Sequence, residues 1–292
     1  MSHHSGFVNI IGKPNVGKST LMNRLVGERL SIITSKAQTT RHRIMGIVNS
    51  EDFQIVYSDT PGILDPKYKM QEGMMHFVNS ALADADILLF VSDMEWPKEE
   101  HISIVDKIKN KGIPIILVIN KIDLTDQAGV EVLVDKWKVL LPEAIILPLA
   151  ALHGFGTDTL LEHIIRNLPE SPPFFSKEEL TDKPMRFFIS EIIREKILLQ
   201  YKKEIPYSCE VIVQSYKDEE NIVKIQADIV VSRDTQKGII IGHNGQKLKH
   251  VGIDARKDIE TFIQKKVYLE LYVKVDKDWR DSEQKLKGYG YL

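Results

Sequence analysis

Gly12-Lys13-Pro14-Asn15-Val16-Gly17-Lys18-Ser19 stands between an apolar run at 7–11 that reads as a buried strand and a stretch at 20–25 that reads as a helix. Two glycines five apart, then Lys and Ser, in a strand-loop-helix setting make a phosphate-binding loop. Its inward-turned backbone N–H groups and the positive end of the following helix form a concavity suited to a polyphosphate, and Thr20 is counted with the loop as a nucleotide-binding residue. Lys18 then reaches the β- and γ-phosphates and Ser19 binds Mg²⁺. Gly12 and Gly17 sit where a Cβ would block the turn or the phosphate. The stretch therefore predicts a bound nucleoside triphosphate.

The rest of the chain leaves room for a second function. Its 292 residues suffice for two cores, and 43% hydrophobic with 27% charged residues describes an ordinary globular composition. The longest apolar runs, such as 113–119, fall far short of the roughly 20 residues that cross a bilayer. The start has no basic segment followed by an apolar one, so no secretory signal is expected, and His3 and His4 read as a flexible beginning. The single Cys209 cannot form an internal disulfide; it suits a reducing compartment and a buried apolar role. The net charge of −2 hides a window, 237–266, in which basic residues outnumber acidic ones.

Beyond the loop, the polar segment 30–41 shows no period and reads as a loop. Strands are expected at 44–48 and 53–57 with a turn between them, and Asp59-Thr60-Pro61-Gly62 follows the second directly. An aspartate at that strand end belongs behind the Mg²⁺ ligands, and Gly62 leaves its N–H open to a γ-phosphate. Apolar strands at 86–92 and 113–119 alternate with helices at 72–83 and 99–111, which predicts a doubly wound α/β domain with ligands at the strands' C-terminal ends. Asn120-Lys121-Ile122-Asp123 lies at one such end. The Asp123 carboxylate accepts two parallel hydrogen bonds, matching the adjacent N1–H and N2 amine of guanine, whereas adenine offers an acceptor there and would strand a buried charge. Asn120 steadies the loop and the Lys121 stem covers the ring. The expected base is guanine.

In this order the motifs resemble the translation-factor-like branch of P-loop GTPases. The resemblance assigns Thr39 and Thr40 to the first switch, with Thr40 a ligand of Mg²⁺ and γ-phosphate, and residues 59–62 to the second. Lys18, Thr40, Asp59 and Gly62 form the implied catalytic group. The family's fifth guanine motif is usually Ser-Ala followed by a variable residue; here Ala150-Ala151-Leu152 stands in that place without the hydroxyl. After Gly62 comes Ile63, where Ras-like enzymes carry a Gln that orients the attacking water. Either hydrolysis proceeds slowly without that group or Ile63 simply packs beneath the switch; both readings stand. Asn15 matches the position that in some relatives holds a monovalent cation, which adds K⁺ to GTP, GDP and Mg²⁺ as an expected cofactor.

Four prolines and little periodicity mark 168–184 as a boundary. After it come a helix at 187–203, strands at 209–214 and 222–231, helices at 234–241 and 246–264, and a strand at 267–275. Between the last two helices lies Gly242-His243-Asn244-Gly245, a turn that lets a nucleic-acid backbone approach free N–H groups. Lys237, Lys247, Lys249, Arg256 and Lys257 supply charge near it. The order α-β-β-α-α-β around Gly-x-x-Gly resembles a type II KH domain. The run Ile239-Ile240-Ile241 is either an apolar platform for unstacked bases or part of the core. Single-stranded RNA is the favoured ligand. The polar end, 279–292, reads as a frayed terminus.

A single GTPase domain (1–168), a linker (169–184) and a KH domain (185–292), with Gln38-Thr-Thr-Arg-His-Arg43 in the first switch and Gly252-Ile-Asp-Ala-Arg-Lys257 after the turn, closely resemble the Era family of bacterial GTPases. The resemblance implies a monomeric cytoplasmic factor that binds the 3′ end of small-subunit ribosomal RNA, acts in 30S maturation and associates in part with the inner membrane. The rival readings are an RNA-binding protein that keeps GTP as a structural ligand, and a Der-like GTPase; chains of the latter kind carry two phosphate loops, and one is present here.

Overall fold

A computed structural model describes residues 3–96 and 99–292 and divides the chain into two compact units. The first comprises Met1–Ser31, Thr40–Pro66 and Met74–Asp182; the second comprises Ile32–Thr39, Lys67–Gly73 and Lys183–Leu292.

In the first unit the elements run β1 (His4–Gly12), α1 (Lys18–Val26), β2 (Ile44–Asn49), β3 (Phe53–Asp59), α2 (Lys69–Ala83, of which Lys69–Gly73 fall in the second unit), β4 (Ile87–Ser92), α3 (Glu99–Lys109), β5 (Ile115–Ile119), α4 (Gln127–Leu140), β6 (Ile145–Pro148) and α5 (Thr157–Asn167). The six strands form one sheet in the order β2-β3-β1-β4-β5-β6, parallel except for β2 at the edge. All six residues of β4 are buried because helices cover both faces, which is why the central strands read as unbroken apolar runs. Trp137 of α4, one of the largest fully buried side chains, stands edge-on to Phe90 at 5.7 Å, with Ile104, Val105 and Leu133 in the same cluster. Chain order reverses beside β1, so the loops after β1, β3 and β5 converge at one crevice.

Two ends of this unit correct the sequence reading. His3 and His4 are not a flexible start: His4 opens β1 and its ring nitrogen lies 3.1 Å from the Leu168 carbonyl, while His3 lies 3.2 Å from that of Ser171. Met1 and Ser2 are outside the described residues. The proline-rich stretch runs along the open side of β2, where Ile47 N–H donates to Leu180 O (2.8 Å) and Thr181 Oγ1 to Met45 O (2.7 Å). It thereby covers an edge that would otherwise present unpaired backbone groups.

The second unit contains α6 (Met185–Gln200), β7 (Cys209–Asp218), β8 (Val223–Val231), α7 (Asp234–Ile241), α8 (Gln246–Ile263), β9 (Val267–Val275) and α9 (Glu283–Gly288). Its sheet has the order β7-β8-β9, antiparallel then parallel. Ile193 and Ile197 of α6 and Val251, Ala255 and Ile259 of α8 belong to this core with no solvent exposure, their i,i+4 spacing placing each set on one face of its helix. Cys209 is buried in that core, as expected. The segment 32–39 also belongs to this unit: Lys36 Nζ donates to the Leu198 and Tyr201 carbonyls at the end of α6, and Arg194, fully buried and paired with Glu191 at 2.5 Å, donates to the Thr39 carbonyl.

The terminus is not frayed. Trp279, Leu286 and Tyr291 have no solvent exposure, and Tyr291 Oη donates to buried Glu210 at 2.5 Å. A carboxylate shielded from water needs such a donor, which a reading of polarity alone could not foresee.

Candidate functional sites: a nucleotide pocket and a nucleic-acid cleft

β1 ends at Gly12 and α1 opens at Lys18, so the loop between them hangs from the central strand. Gly17 takes φ 98°, and a Cβ there would stand 2.2 Å from Asn120 Nδ2. Lys18 is buried and its Nζ donates to the carbonyls of Gly12 (3.1 Å) and Lys13 (2.8 Å) across the loop. Burial pulls its pKa down from the ordinary lysine value to about 8, against the opposing charge of Asp59. Ser19 Oγ donates to Asp59 Oδ2 at 2.7 Å and lies 2.9 Å from Thr40 Oγ1, which itself donates to Oδ2 at 3.2 Å. Burial raises the pKa of Asp59, with the Lys18 charge and these two hydroxyls pulling the other way. Thr60 is tied to Ile10 O at 2.7 Å, Pro61 is buried, and Gly62 lies so close to Pro14 that a Cβ would come within 2.6 Å of its nitrogen. Ile63 donates its N–H to Gly12 O at 3.0 Å and packs its side chain against the Trp137 cluster. Thr20 is half-buried in the first turn of α1.

At the base end of the crevice, Asn120 joins three loops: Nδ2 donates to Val16 O (2.8 Å) and Oδ1 accepts the Ala151 N–H (3.0 Å). Lys121, held at φ 66°, donates to Asn15 O at 2.6 Å. Asp123 follows in the tight turn Ile122–Leu124, with His153 Nε2 at 3.7 Å from its Oδ2. Ala150 lacks a hydroxyl, yet its loop is fixed by reciprocal backbone bonds with Phe155 at 3.1 and 3.2 Å. Leu152 beside it is 73% exposed.

The second unit presents a cleft of about 390 Å³ between α8 and β9. Leu248 and Ile253 of α8 line it with Leu269 and Leu271 of β9, all four half-buried and the three leucines packed against the core, and exposed Lys249 and Arg256 stand at its margin. Gly245, at φ 74°, ends the Gly-x-x-Gly turn at the mouth of this cleft, with exposed His243 and Asn244 before it. Gly242 lies against the stem of Lys247, whose Nζ sits 6.0 Å above the Tyr201 ring. Lys237 and Lys257 do not line the cleft. Ile240 is fully buried and Ile241 packs on the core, so two members of that run serve packing, whereas Ile239 is 42% exposed.

Residues 7–121 match the family described as 50S ribosome-binding GTPase, and residues 204–280 match the KH domain. The chain is similar to the chloroplastic GTPase ERA1 of Zea mays, at 43% identity over 99% of this chain and 71% of that protein. Among solved structures, Aquifex aeolicus Era bound to GDP and aluminium fluoride superposes with TM-score 0.95 at 39% identity, covering 99% of both chains. An Era complex with MgGDPNP and nucleotides 1506–1542 of 16S ribosomal RNA gives TM-score 0.94 at 40% identity over 99% of both chains. The chain belongs to the Era family of GTPases. The expected Era-type order, a doubly wound GTPase sheet followed by a KH domain, is therefore what the chain adopts.

For an Era-family GTPase the fit to a divalent cation can be tested on the side chains. Asp59 is fully buried, its Oδ1 has no hydrogen-bond partner among the described residues, and burial disfavours its charge; Ser19 and Thr40 place two hydroxyl oxygens beside its other oxygen. A hard cation with oxygen ligands offsets that buried charge, so the donor set fits Mg²⁺. Asn15 is exposed at φ 64°. The cleft residues Leu248, Ile253, Leu269 and Leu271, and His153 beside Asp123, escaped the sequence reading. Each belongs to an element read only as helix, strand or loop, and no local pattern shows which face meets a ligand.

Proposed function

We propose that this chain is a Mg²⁺-dependent GTP hydrolase whose KH module binds single-stranded RNA at the 3′ end of the small-subunit ribosomal RNA, and that it acts in 30S subunit maturation. The observation that carries the reading is the pairing, in one chain, of a hydroxyl–carboxylate cluster at a phosphate loop with an apolar cleft rimmed by cations beside a Gly-x-x-Gly turn. The relative solved with a 16S ribosomal RNA fragment, alike over 99% of the chain, supports the choice of RNA.

Water attacks the γ-phosphorus in line, the β–γ bridging P–O bond breaks, and the proton leaves on inorganic phosphate. Lys18 turns from its loop carbonyls to the phosphates and offsets the developing charge. Asp59 orients Ser19 and Thr40, the residues that would hold Mg²⁺, and the ion would supply further neutralisation. Asp123 reads guanine and Asn120 keeps its loop in register. Ile63 has no group to position water, so unassisted turnover is slow, and a K⁺ held at Asn15 would add positive charge beside the phosphates. Because Thr39 is held by Arg194 in the second unit while Thr40 joins the Mg²⁺ ligands, nucleotide state and RNA affinity are linked, and the linkage is reciprocal. The chain works as a cytoplasmic monomer with peripheral inner-membrane association; no helix among the described residues is long and apolar enough to cross a membrane.

Phosphate release and binding of a labelled 16S 3′-terminal RNA test the reading together. Turnover is expected with GTP and not ATP, faster in KCl than in NaCl, and RNA affinity is expected to differ between GDP and a non-hydrolysable GTP analogue. No phosphate release above buffer would leave GTP a structural ligand, and equal RNA affinities would remove the linkage.

A further inference from the structure

Gly252 stands in the interior of α8, an 18-residue helix in which alanine would be the more stable choice. The fold gives no reason for a glycine there. Its conformation is helical, and a Cβ built on it would meet only Leu271 Cδ1, at 3.5 Å, an ordinary van der Waals contact. By contrast a Cβ on Gly73 would press to 2.8 Å on the Tyr291 carbonyl, and one on Gly46 to 2.7 Å on Val26. The packing that excludes side chains at those positions does not exclude one at 252.

What a side chain at 252 would enter is the cleft between α8 and β9. Leu248 and Arg256 lie four residues to either side, on the same helical face, so the glycine opens a gap between them at the level of Leu269 and Leu271. One helical turn rises about 5.4 Å, more than the roughly 3.4 Å that a stacked base occupies. The gap is apolar at the bottom and has Lys249 and Arg256 at its margin for a phosphate-bearing ligand. We propose that Gly252 is a specificity-determining residue of the cleft, its missing side chain forming the slot that admits one unstacked base of single-stranded RNA. The proposal rests on the RNA-binding reading above and names where one base enters.

The test uses the full chain with Gly252→Ala and Gly252→Leu, measuring thermal unfolding and the Kd for a fluorescent single-stranded 16S 3′-terminal RNA. Alanine is expected to leave Tm unchanged or raise it by about 1–3 °C, while RNA affinity falls about threefold. Leucine, filling the slot, is expected to weaken binding more than about tenfold. Opposite movement of stability and affinity in the alanine variant is a signature that loss of structure cannot give. Wild-type affinity in the alanine and leucine variants, or a Tm that falls along with affinity in the alanine variant, overturns the slot alone. A wild-type chain that binds no single-stranded RNA overturns the slot and the proposed function together.

Discussion

The phosphate loop and the α8–β9 cleft hold charge in opposite ways. At the loop, Lys18, Thr40 and Asp59 are 6%, 8% and 0% exposed, with Thr40 bonded to Asp59 and Lys18 to two loop carbonyls. At the cleft, Lys249 and Arg256 are exposed around an apolar floor. Buried charges act at low dielectric through fixed geometry, so they are sensitive to pH and to loss of a single partner. Exposed cations act through a screened field, so they are sensitive to salt and individually worth less.

The largest expected effect lies at the nucleotide pocket, on Asp123, a carboxylate that is exposed at its base end. Asp123→Ala removes two charge-assisted hydrogen bonds to guanine and is expected to weaken GTP binding on the order of 10³-fold by calorimetry, with RNA affinity in the absence of nucleotide unchanged. A loss below about tenfold would break the comparison. Next, Asp59→Asn is expected to cut turnover about 10²-fold and to raise the Tm of the nucleotide-free protein. Its carboxyl pKa is raised by burial, so the ionised form costs stability at neutral pH, and the amide removes that cost. A lowered Tm would show that the carboxylate is not strained by burial.

Smaller is the pH effect at Lys18. With its pKa near 8 in the free protein, the ammonium must be retained or regained to meet the phosphates. GTP affinity is expected to fall about tenfold from pH 7 to 9, with proton uptake growing over that interval, read by calorimetry in buffers of different ionisation heat. The fold itself moves the other way: a depressed lysine pKa means that the unfolded chain binds more protons between about 8 and the ordinary lysine range, so stability rises there. The smallest effect belongs to the cleft. Arg256→Gln is expected to weaken RNA binding about fivefold and to reduce the slope of log affinity against log salt by about one. Its Tm is expected to stay the same, which sharpens the contrast with Asp59.

The nucleotide site was legible because its parts are short contiguous segments at strand ends. The loop after β1, Asp59 at the end of β3 and Asn120 after β5 each announce a backbone geometry by local residue type, and the reversal of strand order beside β1 brings them together. Tertiary placement alone chose the packed role of Ile63, seated on a Trp137 cluster drawn from elements far apart in the chain. The same holds for the ends: His4 and Tyr291 look like polar termini until partners at Leu168 and Glu210 are known.

By itself, then, the chain of residues determined a phosphate loop, the Asn-Lys-Ile-Asp turn that we propose reads guanine, and a Gly-x-x-Gly turn, since each is encoded in the φ/ψ preferences and donor groups of a few neighbouring positions. Only the folded molecule decided which faces meet. Leu248 and Gly252 on a helix and Leu269 and Leu271 on a strand become one cleft because α8 packs beside β9. Burial of apolar area, which drives that packing, has no direction and leaves no local mark of its partner.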